Sequence, residues 1–112
     1  MKLFFIFLLI CYSLSAQQII EITFNEPMDT MSLKQLENYF IFDSYNNLIQ
    51  INAVLFISGL DDRIFLIPEF LNDGIYLFYC KNVKDVAGNL INPDKNRKYF
   101  SVGIVPVGID DN

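Results

Sequence analysis

The sequence predicts an all-β sandwich of about seven antiparallel strands with one short helical turn, and three observations predict it. Ile20, Ile22 and Phe24 alternate with Ile19, Glu21 and Thr23, which is the period of a strand with one buried face. Turn signals recur about every 8–12 residues, the spacing of an immunoglobulin-like sandwich. A late alternating stretch, opened by Leu71, Gly74 and Tyr76, runs into Asp85-Val86-Ala87-Gly88-Asn89 and reads as the last hairpin of that sandwich.

Taken in order, the chain opens with Met1-Lys2, an apolar run from Leu3 to Tyr12, and small polar residues ending at Ala16. That is the order of a secretory signal. The run is shorter than the roughly 20 apolar residues a bilayer span needs, which argues against an uncleaved anchor. Cleavage is expected after Ala16, leaving Gln17 as the N-terminus; cleavage after Ser15 is the alternative, because Leu14 is large for the position it would hold. Ile10, not a small residue, precedes Cys11, which argues against lipid attachment there. The expected organisation is a signal peptide at 1–16, one domain at 17–104 and a short tail at 105–112.

The first strand of the domain ends at Asn25-Glu26-Pro27, since proline cannot donate to a ladder and restricts the residue before it. Asp29, Thr30 or Ser32 can cap one helical turn with Leu33 and Leu36 on one side. Tyr39 to Phe42 reads as a strand, and Asp43-Ser44-Tyr45-Asn46-Asn47 as a turn built from residues that tolerate left-handed backbone angles. Leu48 through Ile57 reads as one long strand, bent or bulged. Arg63 to Ile67 follows, stopped by Pro68, then Ile75 to Cys80, and Tyr99 to Val102 closes the set.

Removal of residues 1–16 from 112 leaves 96, enough for one core but not two. With Lys2 gone, seven basic side chains face thirteen acidic ones, a formal charge of −6. Such a surface repels nucleic acid and anionic lipid, so neither is expected as a partner, and the membrane enters only through export. Cys80 is then the sole cysteine; burial in its strand is the expected state, with pairing between chains as the other possibility.

Reactive chemistry is sparse. Histidine is absent, which removes histidine-based triads and bases. Ser32, Ser44, Ser58 and Ser101 have no evident partner in the sequence, and the five glycines are too scattered to cradle phosphate. Glu26 with Asp29, or Asp61 with Asp62, would be the carboxylates of a hydrolase; solvated turn residues explain them more simply. No catalytic residue, cofactor-binding residue or metal ligand is assigned.

Two motifs carry structural meaning. A tyrosine placed as Tyr76 is, early in a late strand, can turn its ring inward and return its hydroxyl to upstream backbone, with Gly74 supplying the turn's angle and Leu71 leading into the corner. Asp85 can accept from amides two or three residues on, while Gly88 and Asn89 take positive φ. A calcium reading would join Asp85 to Asp61, Asp62 or Asp94, but calcium takes about six to eight oxygens and no EF-hand-like loop supplies them in order.

Ile22-Thr23-Phe24-Asn25-Glu26-Pro27-Met28-Asp29, Asn38-Tyr39-Phe40-Ile41, the Leu71, Gly74 and Tyr76 corner, and Val83-Lys84-Asp85-Val86-Ala87-Gly88-Asn89 come in one order across residues 18–102. In that order they resemble the bacterial immunoglobulin-like domain of the S-layer type, the SbsA Ig-like domain. The resemblance implies a β-sandwich on a bacterial surface or secreted protein, used as a spacer or repeated module. The resulting expectation is a non-catalytic structural or interaction module of adhesion type, secreted, periplasmic or at the cell surface. It would meet a protein or cell-envelope partner, through a sheet edge or through aromatics such as Tyr45, Phe70 and Tyr79 if these are exposed together. The alternative is a periplasmic module that binds sugar or peptide with those exposed aromatics.

Overall fold

A computed structural model of the chain describes residues 11–14 and 17–103. Most of the expected leader and the whole of the 105–112 tail lie outside them. Two four-stranded antiparallel sheets face each other. The first has the order β1 (Cys11–Leu14), β2 (Gln17–Thr23), β6 (Arg63–Pro68), β5 (Ile51–Leu55); the second has the order β4 (Leu48–Ile49), β3 (Tyr39–Asp43), β7 (Gly74–Cys80), β8 (Arg97–Val102). The architecture is the predicted all-β sandwich, with one short helix, α1 (Thr30–Leu33), and two 3₁₀ turns.

Alternation decides which side of each strand faces in. Ile20 and Ile22 of β2 stand opposite Leu66 and Ile64 of β6, all fully buried. Ile41 of β3 stands opposite Phe78 of β7, and Tyr76 stands opposite Phe100 of β8, so the second sheet supplies the other half of the core. The Tyr76 and Phe100 rings stack at 5.5 Å. Burial of such side chains contributes roughly 1.5–3 kcal/mol each, which makes this two-layer contact the main source of stability.

The long strand expected from Leu48 to Ile57 is instead two strands in different sheets. β4 pairs with β3, and β5 pairs with β6. Gln50 is the crossing residue: its carbonyl accepts from the Glu69 amide at 2.9 Å, and its own amide donates to the Glu69 carboxylate at 3.4 Å. A bulge between Ile51 and Ala53 follows. It restores the inward phase, so that Ile51 and Val54 both reach the core side although three positions apart.

Asp29 caps α1 by accepting from the Ser32 amide at 3.0 Å. Leu33 enters the core, but Leu36 falls in the following 3₁₀ turn and is exposed. The two leucines therefore do not share a side: the helix is only one turn long, and the change of winding rotates Leu36 away. β6 extends through Pro68, and β8 begins at Arg97, two residues before the expected start.

Candidate interaction surface

The corner before β7 is built on five residues. Gln18, buried at the start of β2, donates its amide nitrogen to the Leu71 carbonyl at 3.0 Å and accepts from the Leu71 amide at 2.6 Å. Gly74 then opens β7 at φ +157°, a conformation that L side chains rarely adopt. The Tyr76 ring lies inside the sandwich, and its hydroxyl donates to the Asn72 carbonyl at 2.6 Å. Desolvation, then the nearby Asp43 and Asp73 carboxylates, raise the Tyr76 pKa, so the hydroxyl is a donor and not a base at neutral pH.

Asp85 heads a second constructed turn. Its Oδ1 accepts from the Ala87 amide at 3.0 Å and the Asn89 amide at 2.8 Å, and its Oδ2 accepts from the Asn89 side chain at 3.1 Å. Gly88 takes φ +91°, whereas Asn89 does not adopt positive φ; the expectation for Asn89 is corrected, because it serves as hydrogen-bond partner to Asp85. Backbone and side-chain hydrogen bonds from Asn89 hold the Asp85 carboxyl below its usual pKa range. With its lone pairs turned onto these donors, Asp85 is a turn builder. Among the described residues no group of three or more acidic or cysteine side chains is placed to hold a metal.

The same loop occurs twice. Asp43 Oδ1 accepts from the Tyr45 and Asn47 amides, both at 2.9 Å, its Oδ2 accepts from the Asn47 side chain at 3.2 Å, and Asn46 takes φ +69°. Asp43-x-x-Asn46-Asn47 and Asp85-x-x-Gly88-Asn89 are thus one device: an aspartate, a left-handed residue three on, and an asparagine four on. The repeated spacing was the available signal.

Ser32 proves to be a polar junction. Its hydroxyl donates to the Asp29 carbonyl at 2.9 Å and accepts from the Lys84 amide at 3.0 Å, while its carbonyl accepts from the buried Asn38 side chain at 2.9 Å. Tyr39 adds a hydroxyl bond to the Leu33 carbonyl at 2.6 Å. Asp62 accepts from Arg63 at 3.0 Å, and Arg63 also reaches Glu21 at 3.4 Å. Every buried side-chain polar atom among the described residues has a partner. Cys80 is fully buried, and burial pushes its thiol pKa up, which disfavours the reactive thiolate.

The outer face of the second sheet is open to solvent. In an antiparallel sheet this face is ordinarily polar. Here Leu48, Phe42, Leu77 and Tyr99 stand opposite one another in one row across all four strands, with Leu48 60% and Tyr99 61% exposed. A neighbouring row holds Phe40, Tyr79 and Arg97. The Phe40 and Tyr79 rings are 5.4 Å apart; Lys81 lies 5.3 Å over Phe40 and Arg97 5.0 Å over Tyr79. These cation–π contacts give an acidic protein a locally cationic margin beside an apolar stripe. Tyr45 and Phe70 are exposed too, but they sit on the β3–β4 turn and the β6–β7 corner. Tyr45 lies beyond Asp43 and Tyr79 stands opposite Phe40, at the other end of β3, so the three aromatics singled out in the sequence do not form one patch.

No protein-family model matches the sequence, and no curated protein does. Solved structures similar to it include two of S-layer proteins. A crystal structure of the S-layer protein rSbsC(31-844) is 17% identical, with a TM-score of 0.59 over 70% of this chain and 11% of that one. Domains 1–6 of the surface layer protein SbsC are 15% identical, with a TM-score of 0.65 over 80% of this chain and 12% of that one. The chain has the fold of a domain of S-layer proteins. It spans about a tenth of the length of the structures it resembles, and among its described residues no helix is long and apolar enough to cross a membrane.

Proposed function

We propose that this protein is a non-catalytic module of the bacterial cell envelope, exported by its leader, that engages an envelope protein through the outer face of its second sheet. The observation that carries the reading is the row of Leu48, Phe42, Leu77 and Tyr99, flanked by the Arg97 and Lys81 cations. Exposed apolar stripes of this kind are costly to leave open and mark contact surfaces. The fold shared with S-layer domains supports the cell-surface setting. The engagement of Ser32, Asp29 and Asp62 in caps and ion pairs supports a role without chemistry.

Cross-linking of the tagged protein in envelope fractions tests this. Leu48→Glu with Tyr99→Glu should abolish the cross-linked product while leaving the circular dichroism spectrum unchanged; retention of the product by the double variant refutes the surface.

A second reading is a periplasmic binder of sugar or peptide, favoured by Tyr79 and Tyr99 both pointing outward from adjacent strands, with Arg97 directly opposite Tyr79 and two residues before Tyr99. Titration with envelope oligosaccharides and peptides, read by NMR at these two rings, separates it from the first.

A further inference from the structure

Of the four strands that can form sheet edges once the leader is gone, three carry protection against further pairing. β4 is two residues long, β5 is bulged between Ile51 and Ala53, and β8 bears Arg97 and Lys98 side by side. Short length, bulges and charge are the usual devices that block edge-to-edge pairing. β2 is neither short nor bulged, and its one charged residue, Glu21, is held in an ion pair with Arg63. The edge of β2 is instead covered by β1, which pairs antiparallel from Cys11 opposite Ile20 to Leu14 opposite Gln17. Only Ser15 and Ala16 separate the two strands, and the expected cleavage falls after Ala16. Processing therefore takes away the cover and leaves a seven-residue strand free of proline and lysine.

The orientation of the vacated groups follows from one bond. The Phe24 amide donates to the Asp62 carbonyl at 2.7 Å, toward β6. Alternation along the strand then directs the amides of Ile19, Glu21 and Thr23 to the opposite edge, which β1 covers as far as Ile20.

We propose that this edge is a homotypic pairing site, at which β2 of one processed copy pairs antiparallel with β2 of a second about a two-fold axis. Centred on Ile20, the pairing sets Ile19 opposite Glu21 of the second copy and Gln17 opposite Thr23, so each edge-facing amide meets an edge-facing carbonyl. Two Glu21 side chains do not stand directly opposite each other in this register. Each also lies 3.4 Å from its own Arg63, a cation shared with Asp62, which offsets part of the charge facing a second copy. The strand is its own complement: the second copy satisfies the whole ladder, and an antiparallel neighbour is what the edge already holds before processing.

This rests on the export reading, and the experiment separates the two. The protein exported by a bacterial host is weighed intact, then followed by sedimentation equilibrium and by amide hydrogen exchange across a concentration series. A mass beginning at Gln17, a particle mass that doubles with concentration, and protection of the Ile19, Glu21 and Thr23 amides that rises with it are the expected results. Ile19→Pro removes one edge amide while leaving the β6 ladder intact; it should weaken association at least about tenfold, with Phe24 amide protection unchanged as the check on folding. An unprocessed mass refutes export, and with it the slot. A processed monomer at every concentration refutes the pairing alone, and so does concentration-independent protection of the three amides in a monomer, which would mean that another segment of the same chain covers the edge.

Discussion

Gln18 and Leu71, 53 positions apart, exchange two hydrogen bonds inside the protein: side-chain amide to carbonyl at 3.0 Å and backbone amide to side-chain oxygen at 2.6 Å. The pair substitutes for ladder bonds that an irregular corner cannot make, and it fixes the start of the first sheet against the corner that opens β7. Gln18→Ala leaves two buried backbone groups unpaired, each worth about 1–3 kcal/mol. A loss of roughly 2–6 kcal/mol is expected in urea unfolding, with an unchanged m-value.

Tyr76→Phe deletes the bond to Asn72 but keeps the ring against Phe100. A loss of about 1 kcal/mol is expected in the same assay. Tyr99→Phe, on the exposed face, should change stability by less than about 0.5 kcal/mol.

The twin aspartate turns make stability depend on acid. Asn47, through its backbone amide first, lowers the Asp43 pKa, and Asn89, in the same way, lowers that of Asp85. A depressed native pKa means that the unfolded chain binds more protons in this range, so stability rises with pH. The contribution is complete above the ordinary carboxylate value of about 3.9 and is lost as pH falls through the native values. Unfolding midpoints measured from about pH 6 to pH 2 should fall at the acid end. Asp85→Asn should make that fall shallower, and it should be less stable than the parent at neutral pH.

Gly88 holds φ +91° with open space around its missing Cβ, so only the backbone opposes a side chain there. Gly88→Ala should cost about 1–2 kcal/mol. Gly88→Asn should cost less, because Asn46 already occupies the matching place in the other turn at φ +69°. Thermal melts of the two variants in parallel rank them.

Much of this was legible in the sequence, because period-two alternation and turn chemistry are local. The Ile20, Ile22 and Phe24 face, the Asp43 turn and the strand from Ile75 to Cys80 all follow from neighbours within a few residues. Three features were not legible. The apolar run from Leu48 to Ile57 hides a change of sheet at Gln50, since a residue buried in either layer looks the same. Gln18 meets Leu71, and Ser32 meets Lys84, only through folding across more than 50 positions. The apolar outer row was masked because inward and outward residues on β3 and β7 are both hydrophobic, as Phe40, Ile41 and Phe42 are. Alternation then loses its contrast and cannot say which side meets water.

The passage of the chain through Gln50 has one more consequence. A single residue hands the polypeptide from one layer to the other, and Glu69 holds it there. Sliding one sheet along the other by even one position would have to stretch covalent backbone. Alignment of the two layers is therefore stitched in by connectivity, and the side chains facing water are released to diversify in sequence without loosening the frame beneath them.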